Sequence, residues 1–302
     1  MKSKEDAFLP VDGVASAQQS GWFKIFLPPS LGGTCATMAD ALFILRQAAI
    51  QDGSLGWAVN LGAGASWFYP YVSFELAQQC WGFSHAIVAG SGEMGHLKWN
   101  EAGNGLLSGY WSRCTAAPWA SWFTLNAKTE EGQVWTCVVP RHQVTLHSST
   151  WTQFGLKSSG TYGVETQNIF VPPHQIFSIE KPQWSAGHFT ENWPFPFFAR
   201  ICMSASFLGL WQGLIQQAIQ HNGKSSSHGR IERHIQNWEN QLHREAIQPG
   251  PSILSLVALH KEAMDLAMAV YRESGMRIGQ LGHPLHVAWA DFMTAAHHPY
   301  VW

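Results

Sequence analysis

The candidate chemical side chains of this 302-residue sequence fall in short, separated runs. Lys157-Ser158-Ser159-Gly160-Thr161 places hydroxyls and a cation in one turn. Hydroxyls and backbone N–H groups in such a turn can bond a phosphate or the polar edge of a ring. A solvated hairpin turn accounts for the same residues equally well. Near the end, His297-His298 supplies imidazoles, which titrate close to neutrality and can move protons in a dry cavity. A lone histidine is nevertheless more often structural or exposed. Arg230, with Arg233 beside it on the next turn, follows a Gly/Ser loop from Asn222 to Gly229, where a solvated helix face is the usual fate of such charges. The cysteines, Cys35, Cys80, Cys114, Cys137 and Cys202, are odd in number and contain no CxxC pair. That spacing argues against a disulfide framework or a zinc site and for a reducing compartment.

The elements that must position these groups change character twice. Up to residue 82 the pattern is helical. A loop at Pro28-Pro29 and Gly32-Gly33 precedes a cap at Thr34 or Thr37, and Met38, Ala41, Leu42, Leu45 and Ala49 then form one apolar stripe. Asp52-Gly53 breaks that helix, Ser54 is positioned to cap the next, and a further helix covers about Val72 to Cys80. From Phe83 the glycines become frequent and the apolar period shortens. The segments 122–127 and 134–139 read as neighbouring strands joined by a polar turn at Glu131-Gly132, with more strands at 144–147 and 168–171. After Trp193-Pro194-Phe195-Pro196 the helical period returns in Ile201, Ala205, Leu208, Trp211 and Ile215. A polar helix from Arg230 to Ile247 ends at Pro249-Gly250-Pro251, Ser252 caps a third helix, and Pro284 opens a fourth at a position where its missing N–H costs nothing. Four such helices make a bundle.

Composition narrows the partners. Charged residues are only 13% of the chain and net charge is −2, with no basic run, so nucleic acid is not expected as a partner. A charge-poor surface and 16 Trp are consistent with faces covered by subunit association, or with an aromatic-rich core. No apolar run reads as a membrane span and no secretory segment is visible, so the expected location is the cytoplasm.

Several segments, in order, resemble the acyl-CoA dehydrogenase-like flavoprotein superfamily, and among its members the two-component flavin-dependent monooxygenases such as dibenzothiophene monooxygenase. Asp52-Gly53-Ser54-Leu55-Gly56-Trp57 is similar to the family's D-x-S-x-G-W helix junction. Gly109 to Ala116 resembles its G-x-W-x-x-x-S-G strand, and Trp151 to Thr161 its W-x-x-x-G-(M/L)-x-x-T-G-S segment, which runs on into Ile169-Phe170-Val171-Pro172-Pro173. Trp289 to His298 resembles the terminal W-R-D-x-x-T-x-x-x-H. The resemblance implies an α+β multidomain fold shortened at both ends: an N-terminal helical domain (1–82), a middle β-barrel domain (83–190) and a C-terminal four-helix bundle (191–302).

It also implies a cofactor, FAD or FMN, with the ring edge held by Trp111, Ser112, Cys114 and Thr115 on one strand and by Ser158, Ser159 and Thr161 in the hydroxyl turn. Ordinary sheet packing is the plain alternative for that strand. Ala116 departs from the family's glycine, adding a methyl where backbone normally approaches the ring. Arg230 matches a residue that reaches a neighbouring subunit's flavin phosphate, and His298 the catalytic histidine. The implied partners are a small-molecule substrate, a separate flavin reductase, and further copies of the chain in a homodimer or homotetramer, with neither nucleic acid nor membrane. The implied activity is a monooxygenase using reduced flavin and oxygen on an apolar or aromatic compound. An acyl-CoA dehydrogenase or oxidase would need a carboxylate base, and Ala199 to Gln220 contains no Asp or Glu. A non-catalytic homologue that keeps only the fold is the third expectation.

Overall fold

A computed structural model describes residues 11–34, 36–180, 182–184, 193–247 and 253–301. Cys35, the Pro249-Gly250-Pro251 break and the Ser252 cap lie outside the described residues. The chain divides into two compact units, one drawn from Met1–Cys35, Leu61–Thr152 and Ser158–Asn192, the other from Ala36–Asn60, Gln153–Lys157 and Trp193–Trp302.

In the first unit, helix α1 (Val11–Gln19) comes before the helices of the second unit's first segment, α2 (Met38–Gln51) and α3 (Gly53–Gly64), the latter running across the division. Helix α4 (Phe74–Trp81) follows, opened by the Ser73 hydroxyl accepting from Leu76 N–H at 3.2 Å. Seven strands come next: β1 (Val88–Trp99), β2 (Gly105–Cys114), β3 (Trp122–Lys128), β4 (Val134–Pro140), β5 (Thr145–His147), β6 (Tyr162–Val171) and β7 (Ile176–Phe177). They form one sheet in the order β5-β6-β2-β1-β3-β4-β7, antiparallel except for the parallel pair β1–β3. The end strands β5 and β7 are not paired with each other among the described residues. The 122–127 and 134–139 runs do pair, from Trp122↔Pro140 to Lys128↔Val134. Their connecting turn needs a left-handed residue, which Gly132 supplies at φ 82°. The strand expected at 168–171 starts six residues earlier, because its first half pairs with the end of β2. Leu27, Leu31, Tyr69 and Trp81 bury against Val88, Val138 and Phe177 of the sheet.

The second unit joins α2 to the C-terminal helices α5 (Phe195–Asn222), α6 (His228–Ile247), α7 (Ile253–Glu273) and α8 (Pro284–Ala295). Thr37 caps α2 with a full capping box: its hydroxyl accepts from Asp40 N–H at 3.2 Å while the Asp40 carboxylate takes Thr37 N–H at 3.3 Å. Helix α2 packs on α5 where Gly209 lies against the backbone of Arg46; a Cβ there would sit 2.4 Å from the Arg46 carbonyl oxygen. Phe207 and Phe292 stack at 4.7 Å in the core. Contrary to the reading of the sequence, α5 is long and apolar enough to cross a membrane, although most of that stretch is buried inside the unit, as in the core helix of a water-soluble bundle.

Candidate functional site

Two sequence-distant runs of hydroxyls meet in the first unit. The end of β2 and the turn before β6 pair through Ala116 N–H to Ser159 O at 3.2 Å and Ala117 N–H to Gly160 O at 3.1 Å. This pairing lines up three side chains. Thr161 Oγ1 lies 2.9 Å from Thr115 Oγ1 and 2.8 Å from Ser159 Oγ, and all three residues are buried. A buried hydroxyl must be hydrogen-bonded to be tolerated, so the three hold one another in place as a polar spot inside apolar surroundings. The backbone here is left-handed at Ala116 (φ 62°) and at Gly160 (φ 63°), where a Cβ would sit 2.5 Å from the Trp119 ring. The first value explains why a glycine is favoured in the resembling strand, since an L-residue pays about 1–2 kcal/mol for this conformation. Ser158 is half-buried and Lys157 exposed.

The remaining β2 candidates face other partners. Trp111 is fully buried, its indole N–H donates to Asn126 O at 3.0 Å, and its ring fills the space left by Gly95 and Gly109. Ser112 donates both its N–H and its hydroxyl (2.7 Å) to the Glu93 carboxylate, which Arg113 also binds at 3.0 Å. Burial works against ionisation of Glu93, but the bonds from Ser112 and Arg113 outweigh it and hold the carboxyl below its ordinary range. Cys114 is buried and its thiol is pushed up by burial and by the Glu93 charge, so it is an inert core sulfur.

In the second unit, three of the recognised segments converge. Asp52 Oδ1 accepts Leu55 N–H at 2.8 Å, so Asp52 rather than Ser54 caps α3. Gly56 lies on α2, where a Cβ would come within 2.3 Å of Ala49 Cα, and Gly53 lies on Asp291, where a Cβ would come within 2.6 Å of Oδ2. Asp291 of α8 then reaches the 153–157 segment. Its Oδ1 accepts Leu156 N–H at 2.5 Å while Thr294 Oγ1 accepts Gly155 N–H at 3.0 Å. Those two bonds clamp a buried left-handed turn, with Leu156 at φ 54° and Gly155 so close to Ala290 O that a Cβ would sit 2.0 Å away. Burial raises the Asp291 carboxyl, the Leu156 N–H partly offsets this, and the Asp52 charge raises it again, to about 7.

His298 follows the end of α8, half-buried, with its ring edge-on to Trp57 at 5.3 Å. Tyr300 N–H donates to its Nδ1 at 3.3 Å, which requires a lone pair there and places the proton of the neutral ring on Nε2. Arg230, at the start of α6, pairs with Glu262 of α7 at 3.1 Å on an exposed surface.

Sequence reasoning missed two polar sites. Asp291 was recognised only as part of a motif, and nothing in the chain order indicates that it meets Asp52 and Leu156. Inside the bundle, Trp238 N–H donates to Ser204 Oγ at 2.9 Å, Ser204 bonds His260 Nε2 at 3.0 Å, and His260 Nδ1–H donates to Val301 O. Burial lowers the His260 imidazole to about 4, so it stays neutral and structural. Among the described residues no group of three or more His, Cys, Asp or Glu could hold a metal ion.

Comparison with solved structures shows the fold alone, which matches that of the acyl-CoA dehydrogenase-like flavin monooxygenases. The 3-HSA hydroxylase from Rhodococcus sp. RHA1 superposes with a TM-score of 0.84 at 19% identity, covering 97% of this chain and 86% of that one. XiaF from Streptomyces sp., in complex with FADH2 and glycerol, gives 0.82 at 19% identity, covering 98% and 86%. TdsC from Paenibacillus sp. A11-2, with FMN and indole, gives 0.79 at 13% identity, covering 96% and 87%. In sequence the chain is related to the flavin-dependent monooxygenase oxygenase subunit HsaA of Rhodococcus jostii (strain RHA1), 23% identical over 229 residues that make up 72% of this chain and 59% of that protein. The match thus spans less than two thirds of that relative's own length. No family model matches the sequence.

Proposed function

We propose that this chain is the oxygenase component of a two-component flavin-dependent monooxygenase, acting with a separate reductase on an apolar or aromatic small molecule. The observation that carries the reading is the buried hydroxyl trio Thr115–Thr161–Ser159, gathered from the two segments that the resemblance assigns to the flavin edge. The donor set fits a flavin: hydroxyls and backbone N–H groups match the N and O atoms along the edge of the ring, and apolar side chains match its faces. Thr115, Ser159, Thr161 and the half-buried Ser158 would hold FMN or FAD there. When bound in its reduced form the cofactor supplies the electrons and activates oxygen.

The chain's own residues orient and exchange protons. The mutual hydrogen bonds of the trio hold these hydroxyls in place before any ligand arrives, which lowers the side-chain ordering cost of binding. Trp57 sets the plane of His298, and the Tyr300 N–H sets its tautomer, so that Nε2–H is the proton this side chain can offer to a developing oxyanion. HsaA and TdsC, named above as a monooxygenase subunit and as a complex with indole, make an aromatic substrate the natural first trial. The finer architecture belongs to the same proposal: a helical segment to residue 82, a β domain to 190, and a helical bundle thereafter that associates into a homodimer or homotetramer. A dehydrogenase reading finds no carboxylate base on α5 between Ala199 and Gln220.

The test is to mix purified protein with FMN or FAD, a NADH-dependent flavin reductase and indole, and to follow oxygen uptake and hydroxylated product. Product formation beyond the reductase-only control, lost in His298→Ala with flavin binding retained, is the expected result. Failure to bind either flavin, oxidised or reduced, would overturn the enzymatic reading.

A further inference from the structure

A cavity of about 270 Å³ lies in the second unit, apart from His298, between the end of α2, the middle of α5 and the start of α8. Its polar lining has one sign. Asp52 and Asp291 contribute carboxyls, Gln51 and Gln217 contribute neutral amides, and no Lys, Arg or His lines it among the described residues. The last residues of α2, Ala49 to Gln51, form part of the wall, and the end of a helix carries the negative pole of its dipole. The Ile50 carbonyl oxygen lies 3.3 Å and the Ala49 carbonyl oxygen 3.7 Å from where a side chain at Gly213 would begin, so glycine leaves that part of the wall open. Leu210, Pro284, Val287 and Ala288 make the remaining surface apolar.

Asp291 is the unusual member. It is 5% exposed, its Oδ1 is engaged by Leu156 N–H, and Oδ2 has no hydrogen-bond partner among the described residues. A buried carboxylate without a counter-charge is costly. Among the described residues, the ion pairs of this unit, Arg46–Glu239, His228–Glu232 and Arg230–Glu262, include neither Asp52 nor Asp291. Negative charge, carbonyl oxygens and a short apolar wall together complement one chemical group: a compact cation with several N–H donors on an alkyl stem.

We propose that this pocket binds a primary alkylammonium group, with Asp291 Oδ2 and Asp52 as its counter-charges. Either a small free amine or a lysine side chain presents that group. Burial and the neighbouring Asp52 hold Asp291 partly protonated near neutrality, so seating an ammonium expels a proton from it. Asp52 is the only other titratable group lining the pocket from α2, α3, α5 and α8 among the described residues.

The experiment is titration calorimetry of the full chain with n-propylammonium chloride, with sodium chloride at matched ionic strength and n-propanol as the uncharged analogue of the same shape. n-Propylammonium is expected to bind one per chain, and n-propanol not to bind. Repeating the titration in buffers of different ionisation enthalpy should show proton release below pH 7 that vanishes above pH 8, with affinity rising up to about tenfold per pH unit below 7 and then levelling. Asp291→Asn should weaken binding by about tenfold or more and abolish the proton release, and Asp52→Asn should weaken it by about threefold, as a more exposed charge is screened. Binding of n-propanol as tight as that of the amine, or amine binding with no proton release in the unmodified protein at pH 6.5, overturns the proposal even should Asp291→Asn fail to fold. Light scattering with and without the amine separates the two sources. Dissociation of an oligomer by n-propylammonium assigns the group to a lysine of a second copy, and an unchanged mass assigns it to a free amine.

Discussion

Replacing Asp291 with Asn removes a charge from the core while keeping an oxygen that can accept Leu156 N–H, so it isolates the electrostatic cost of that carboxylate. In the folded chain burial and Asp52 raise this carboxyl from 3.8 to about 7. A raised folded-state value means that the native form holds the proton more tightly than the unfolded form. The associated stability is therefore fully present below pH 3.8 and is lost as pH rises toward 7. One pKa unit corresponds to about 1.4 kcal/mol, so the whole loss is about 4 kcal/mol, of which about 3 kcal/mol falls between pH 5 and pH 8.5. His260 acts in the opposite sense. Burial depresses its imidazole from 6.5 to about 4, so its contribution is present above pH 6.5 and is lost as pH falls toward 4. The raw profile of the unmodified protein mixes both, and only the difference between it and Asp291→Asn reports on Asp291. Urea denaturation followed by tryptophan fluorescence at half-unit steps from pH 5 to 8.5 gives that difference. The variant should gain about 3 kcal/mol relative to the parent over this range. A difference that stays constant to within about 0.5 kcal/mol would refute the claim that Asp291 is held protonated by burial and by Asp52.

At position 116 the left-handed backbone predicts the order Gly at or above Ala, then Val: Ala116→Gly should be neutral or stabilising by up to about 1 kcal/mol, and Ala116→Val destabilising by about 2 kcal/mol, read as shifts in the urea midpoint. Thr161→Val removes the central hydroxyl of the trio and should cost about 1–3 kcal/mol as well as weaken flavin binding, measured by fluorescence quenching; a variant that binds flavin as tightly as the parent would separate the trio from the cofactor. Ser204→Ala leaves the Trp238 N–H and His260 Nε2 buried without their shared partner, and should cost about 2–3 kcal/mol in thermal or urea unfolding.

Local sequence determined the parts of this protein that rest on short-range physics. The capping Thr37, the break at Asp52-Gly53, the β3–β4 hairpin around Gly132 and the Pro284 start of α8 are all fixed by the conformational limits of a few neighbouring residues. The order of the family-like segments was also readable, because order is preserved along the chain. What the sequence could not determine was which segments meet. Thr115 and Thr161 are 46 residues apart in the chain, with three strands between them, yet a two-bond backbone pairing sets their hydroxyls 2.9 Å apart. Ser112 looked as available as Thr115 until the structure showed Glu93 occupying both its donors. Asp291 carries no local sign of a perturbed carboxyl; its environment is created by Asp52, Leu156 and the burial that packing alone imposes. Turns and caps follow from the dihedral preferences of adjacent residues, whereas pKa shifts and shared hydrogen bonds depend on distances between groups far apart in the chain, and those distances exist only once it has folded.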